Sequence, residues 1–186
     1  MSHTPTTNSQ IKVPLADAID GFIQKMGRCI AWVYVLLVIT IILQVVLRKG
    51  FSNGLVVLEE LQWHLYALGV MFGLSYAQTT NSHIRVDILH DHFSPNTKRV
   101  IDILGILLLV MPFISVIFIH SLDFVYDAWR IGERSDSPSG LPYRWVVKAI
   151  IPVSMFLLGL AMLSKMYRDI VGLFSQRVSE GDQHGN

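Results

Sequence analysis

The sequence predicts an all-α integral membrane protein: four transmembrane helices preceded by an amphipathic helix lying in the interface. Three observations point there. The 186-residue chain is 52% hydrophobic and only 16% charged, where soluble domains are about 25% charged; its mean hydropathy is +0.46. Residues 29–47, CIAWVYVLLVITIILQVVL, hold no charge and as a helix reach roughly 28 Å, close to the thickness of a bilayer core. The apolar runs do not alternate, which argues against a membrane β-barrel and leaves helices, whose backbone groups are satisfied within each segment.

Each element follows in order. Residues 1–11 are polar without apolar periodicity and are expected to form a disordered tail. A single membrane domain is expected over 12–177. At its start, PLADAIDGFIQKMGR puts Leu15, Ile19, Phe22, Ile23 and Met26 on one helical face, with Asp17, Asp20, Gln24 and Lys25 elsewhere, the pattern of an interfacial helix. The first span covers 29–47. It is longer than the apolar core of a signal peptide, and QVVLRKG after it lacks a small-x-small cleavage pattern, so it reads as an uncleaved anchor.

The second span, 61–82, carries no formal charge. The third, 100–122, has Asp102 in its first turn; the fourth, 146–166, has Lys148 and Lys165 near its ends. Pro112 and Pro152 are expected to kink these two helices or free a carbonyl in them. Residues 178–186 read as a second polar tail. Four spans place both termini on one side. That side holds Lys12, Lys25, Arg28, Arg85, Lys98, Arg99, Lys165, Arg168 and Arg177; the other holds Arg48, Lys49, Arg130, Arg134, Arg144 and Lys148. Nine cations against six favour both ends in the cytoplasm. The lone Cys29 excludes an internal disulfide, and a net charge of +1 gives no argument for nucleic acid.

The second span carries most of the pattern. At a helical period Glu60, His64, Ala67, Met71, Ser75, Gln78 and Ser82 form a polar stripe, which should face protein rather than lipid. Gly69, Gly73 and Ala77 form a small-residue stripe, the kind of surface on which membrane helices approach closely. Glu59 and Glu60 open the helix. They suit the positive end of its dipole, or serve as acceptors for a partner's cations or for Lys148. Trp63, Tyr66 and Trp145 read as interfacial aromatics. In the last two spans, Asp123 and Asp127 face Lys148 at one end, while Asp102 faces Lys165 and Arg168 at the other, signs that would lock a hairpin.

Chemistry is sparse. The broken helices, repeats and midplane charges of a solute-moving transporter are missing apart from two prolines. So are a phosphate-cradling loop, a cysteine cluster and a His-Glu-x-x-His pattern. No catalytic residue, metal or cofactor is expected. Two alternatives stay open. His64 and His120, if on facing helices, could ligate haem in an electron-transfer subunit; Glu60 could be a proton-coupled site in a self-assembling transporter.

Two stretches carry a resemblance. VLEELQWHLYALGVMFGLSYAQTTNSHIRVDIL (Val57 to Leu89) and SPSGLPYRWVVKAIIPVSMFLLGL (from Ser137) resemble the small membrane subunit, of DctQ type, of tripartite ATP-independent periplasmic (TRAP) transporters. The matching residues are Glu59, Glu60, Gly69, Gly73, His83, Arg85, Val86 and Asp87, then Leu141, Pro142, Trp145, Lys148 and Pro152. The resemblance implies a non-catalytic scaffold in the bacterial inner membrane, in contact with its lipids. It would pair with a large membrane subunit that holds the substrate and sodium sites, and help dock a periplasmic binding protein delivering a carboxylate or sialic acid. On it, the Glu59–His64 stretch becomes an outer anchoring and docking edge. The His83–Asp87 turn becomes an inner brace, with Arg85 and Asp87 paired or capping backbone.

Overall fold

The structure, a computed structural model, describes residues 14–80 and 95–183, with side chains over 14–80 and 97–174. It is all-helical there. Helix α1 runs Pro14–Gly50 and α2 Val56–Thr79; α3, Pro95–Gly105, leads through a π turn, Ile106–Val110, into α4, Met111–Arg130; α5, Arg144–Lys148, is followed by α6, Ile150–Gln183. The four expected spans thus correspond to α1, α2, the α3–α4 rod and the α5–α6 rod. Three of these are long and apolar enough to cross a membrane: Pro14–Gly50, Thr97–Arg130 and Arg144–Phe174. Helix α2 has the length, at 24 residues, but Gln62, His64, Ser75, Gln78 and its glycines lower its apolarity.

Both prolines leave marks. Pro112 has no N–H to offer Leu108, and the turn just before it is wound as π, with Met111 N–H donating to the Ile106 carbonyl. Pro152 cannot donate to Lys148 C=O, and α5 ends at Lys148, one residue short of α6.

Helix α6 sits at the centre, packed against α1, α2, α3 and α4, while α1 and α2 form the most extensive pair. A third of its apolar window is buried, 33%, against 11% for the α3–α4 rod. Glycine and hydroxyl side chains let the helices approach. Ser75 and Ser154 are both fully buried, with Ser75 Oγ donating to the Ser154 carbonyl at 3.4 Å. In lipid no hydrophobic drive pulls helices together, so close packing and such bonds carry the association.

The α1–α2 seam is reciprocal. Gly27 lies under Tyr76, and Gly69 under Tyr34: an added Cβ would come within 2.8 Å of Tyr76 Cγ in the first case and 2.6 Å of Tyr34 Cζ in the second. Each ring fills the space that a glycine on the other helix vacates.

Two expectations are modified. The N-terminal segment is helical, yet it is continuous with the first span. Ile19, Ile23 and Met26 pack with Phe72, Leu157 and Ala161 in the core, while Leu15 and Phe22 stay exposed. No proline lies between Gln24 and Ala31, and Gly27 there is packed under Tyr76, so the two segments join. The tail expected from 178 is helical to Gln183, because lengthening a formed helix is far easier than nucleating one. The expected tail at 1–11 lies outside the described residues.

Candidate functional site

One end of the bundle is built around the α4–α5 loop, residues 131–143. Helix α4 stops in a Schellman motif: Gly132 has φ 60°, its N–H donates to the Trp129 carbonyl at 3.1 Å, and Glu133 N–H donates to that of Ala128 at 2.9 Å. The loop then closes on itself. Arg144 N–H donates to Glu133 C=O at 3.2 Å, Ser135 N–H to Leu141 C=O at 3.3 Å, and Gly140 N–H to Ser137 C=O at 3.0 Å.

Glu60 reaches this loop from the first turn of α2. One carboxylate oxygen accepts the Ser135 hydroxyl, and the other accepts Leu141 N–H at 2.6 Å. Gly140 lies against the same carboxylate; a Cβ there would stand 2.7 Å from Glu60 Oε1. Glu60 precedes the apolar stretch that starts at Leu61. The Ser135 hydroxyl first, then the Leu141 amide, hold its carboxyl below the ordinary range, with smaller help from Arg144 and His64. Glu59 beside it is exposed.

A second carboxylate ties the loop to the last rod. Glu133 pairs with Lys148, whose ammonium also sits 3.8 Å from the centre of the Phe124 ring. Arg144 lies 3.9 Å from Glu133 and 3.7 Å from Asp136. Lys148 is therefore held by Glu133, where the hairpin reading had given it Asp123 and Asp127; Asp127 instead pairs along its own helix with Arg130, at 3.8 Å. Glu60 likewise binds the loop's hydroxyl and amide, so Lys148 is not its partner.

Helix α5 starts from Tyr143 in the left-handed region, φ 63° and ψ 47°, without a side-chain cap. A residue with a Cβ pays roughly 1–2 kcal/mol for that conformation. The Tyr143 ring is 67% exposed.

At the opposite end Lys165 meets Asp102 at 2.9 Å, as the charge pattern predicted. Arg168 turns instead to α1, at 2.9 Å from Asp17 and 2.8 Å from Asp20. Ser164 Oγ lies 2.9 Å from Asp20 and 3.2 Å from the Ala16 carbonyl. A cleft of about 290 Å³ opens there, lined by Asp17, Asp20, Gln24, Thr79 and Arg168 among others.

Of the residues singled out in the sequence, Glu60, Lys148, Trp145 and Pro142 gather at the loop end. Trp63 is exposed, 69%. The small-residue stripe divides: Gly69 is buried against Tyr34, whereas a Cβ on Gly73 would meet nothing within 4 Å, and Ala77 is half-buried. Pro152 is buried in α6. His83, Arg85 and Asp87 lie outside the described residues. His64 and His120 are not brought together. His64 is half-buried near Glu60, while His120 is exposed on α4, which packs on α6 and shares no extensive contact with α2. Among the described residues no cluster of three metal-binding side chains occurs.

Sequence reasoning missed Glu133, Ser135, Gly140 and Tyr143. The only local signal was Gly132 just past a helical run, which marks a helix end and so makes Glu133 the residue that turns back.

Comparison with known proteins places the chain in a family. Residues 37–172 match the family described as tripartite ATP-independent periplasmic transporters, DctQ component. The chain is also similar to a Haemophilus influenzae protein named as a TRAP transporter small permease, 27% identical over 130 residues, covering 70% of this chain and 80% of that one.

Proposed function

The chain belongs to the DctQ family of tripartite ATP-independent periplasmic transporters, and from that membership we propose that it is the non-catalytic scaffold of a sodium-coupled uptake system for organic acids. It pairs with a large membrane subunit, which holds the substrate and sodium sites, in the bacterial inner membrane with both termini in the cytoplasm. A periplasmic binding protein delivers a carboxylate or sialic acid, and the α4–α5 loop, then periplasmic, forms part of its landing surface.

The observation that favours a scaffold is the fate of Glu60. Both of its oxygens accept hydrogen bonds from the chain's own loop, so this carboxylate serves to join α2 to that loop. The ion pairs Glu133–Lys148, Asp102–Lys165 and Arg168 with Asp17 and Asp20 each join one element to another. Glu59, Trp63, Gly73 and Ala77 remain to be covered by the large subunit or by lipid.

The test is reconstitution. The chain alone in liposomes should move no solute. Together with the large subunit and the binding protein it should support uptake of an organic acid driven by a sodium gradient. Uptake by the isolated chain, or undiminished uptake by the large subunit and binding protein without this chain, overturns the scaffold reading.

A further inference from the structure

We propose that Lys25 and Arg28, with Trp32 one turn further along α1, hold the phosphate headgroup of an anionic phospholipid whose acyl chain lies on the outward face of that helix.

Lys25, Arg28 and Trp32 follow one another at intervals of three and four residues, so they stack on one face of a continuous helix. All three are exposed, Trp32 by 74%. Neither cation makes an ion pair among the described residues. The carboxylates of the surrounding helices are turned elsewhere. Asp17 and Asp20, the acids of α1, both engage Arg168 of α6, at 2.9 Å and 2.8 Å. Glu59 and Glu60 lie at the far end of α2, and Asp169 of α6 keeps one carboxylate oxygen buried. The face therefore carries two positive charges that this chain does not balance.

Depth sets these charges among headgroups. Gln24, beside Lys25, donates to the Thr79 carbonyl at 3.4 Å, and Gly27, beside Arg28, lies under Tyr76. Both cations thus stand level with the last turn of α2. Residues 29–47, immediately past them, hold no charge. Trp32 sits one turn inside, where an indole keeps its ring in hydrocarbon and its N–H near polar oxygens. The same face continues as Leu36, Ile39, Leu43 and Val46, all exposed. From Trp32 to Val46 that stripe rises about 21 Å, enough to line an acyl chain in one leaflet of a core about 30 Å thick.

The stripe also separates lipid from protein as its occupant. Membrane helices that meet one another carry small residues at the contact, and between Trp32 and Val46 this stripe carries none. The polar side chains of the span, Thr40 and Gln44, are buried, with Gln44 accepting Leu55 N–H at 3.3 Å where α2 begins. Arginine grips phosphate as a fork and lysine as a point charge. A zwitterionic lipid brings its own cation to such a site, whereas an anionic lipid leaves its phosphate charge for the pair. In the orientation proposed above the leaflet is the cytoplasmic one, whose negative surface attracts basic residues beside a span.

The experiment titrates the full chain in detergent with dioleoyl-phosphatidylglycerol, dioleoyl-phosphatidylcholine or inorganic phosphate, and counts bound molecules by native mass spectrometry. The parent should bind phosphatidylglycerol about tenfold or more tightly than phosphatidylcholine. Lys25→Gln/Arg28→Gln should abolish that preference, and Trp32→Leu should weaken binding about threefold, both with unchanged melting in lipid-free detergent. The exchanged pair Lys25→Arg/Arg28→Lys should keep the preference. So should Arg48→Gln/Lys49→Gln, at the other end of the helix.

A parent-like preference in Lys25→Gln/Arg28→Gln overturns the proposal. An equal loss in Arg48→Gln/Lys49→Gln does the same, because the attraction is then diffuse. Displacement of the lipid by equimolar inorganic phosphate would make this a site for a free anion, which also overturns it. Reduced co-purification of the large subunit with Lys25→Gln/Arg28→Gln, in either lipid, would give the face to protein and overturn it too.

Discussion

The Glu60 carboxylate accepts the backbone N–H of Leu141 at 2.6 Å, across 81 positions of sequence. That bond, with the Ser135 hydroxyl on the other oxygen, ties the start of α2 to the loop that joins the last two rods. This polar cluster is therefore a strap between α2 and the loop, in addition to the packing and the Ser75–Ser154 bond that join α2 to α6.

The strap gives the chain a defined response to acid. The Glu60 carboxyl titrates below its ordinary value of 4.5 because the folded state donates hydrogen bonds to its charged form. Its stabilising contribution is complete above about 4.5 and is lost as the pH falls through the lower, folded value. Thermal melting of the purified chain should show an added loss of stability below pH 4.5. The same loss should be absent in Glu60→Gln, which is already weakened at neutral pH. Parallel melting curves for parent and variant across that range would refute the strap's role.

The two glycines of the α1–α2 seam should differ in tolerance. An added methyl at Gly27 meets the Cβ and Cγ of Tyr76, which cannot swing aside without moving the helix. At Gly69 it meets Cζ and the hydroxyl of Tyr34, the far end of a side chain that can yield. Gly27→Ala should destabilise by about 1–3 kcal/mol and Gly69→Ala by clearly less, read from denaturation in detergent. Equal effects would contradict the assigned contacts.

Gly73 separates packing within the chain from packing against a partner. Nothing in the chain lies within 4 Å of a Cβ placed there, so Gly73→Leu should leave the isolated chain's melting unchanged. If the large subunit covers this face, the same substitution should reduce co-purification of the two subunits. Retained co-purification assigns Gly73 to lipid.

Removing Lys148 should leave Glu133 only the longer contact to Arg144 at 3.9 Å. Both side chains are about one-fifth exposed, and hydrogen bonds to charged groups are worth about 1.5–3 kcal/mol. Lys148→Met should lower stability by about that much, and adding Glu133→Gln should recover part of the loss, giving a measurable coupling. Additive losses would mean the pair contributes no net stability.

At the other end the sign of the pair matters more than its identity. Asp102→Lys or Lys165→Asp alone sets like charges together and should reduce the yield of folded protein; the double exchange should restore it. Failure of the exchange to rescue would show that burial around Asp102, rather than its pairing with Lys165, sets the requirement.

Much of the fold was legible along the chain, because a bilayer demands long apolar helices and composition alone reveals these. Asp102 and Lys165 were also legible, since charges at matching depths on adjacent spans have few other partners. The strap was not. Nothing in ERSDSPSGLPY says that Ser135 and Leu141 will meet a carboxylate from α2, because a loop's path depends on where its two flanking helices end. The same ignorance misassigned Lys148 to Asp123 and Asp127, when Glu133, just beyond the helix end, turned back to it.

By itself the sequence determined four long helices, apolar residues to surround them and charges for their ends. Those follow from segment length, hydropathy and the cost of an unpaired charge in lipid, all local quantities. Only the tertiary structure decided that α6 is central, that Gly27 rather than Gly73 lies under a ring, and that Glu60 binds a loop. Those depend on which helices become neighbours. In lipid no hydrophobic stripe dictates that choice, and it is settled by the fit of side chains that the linear sequence does not place together.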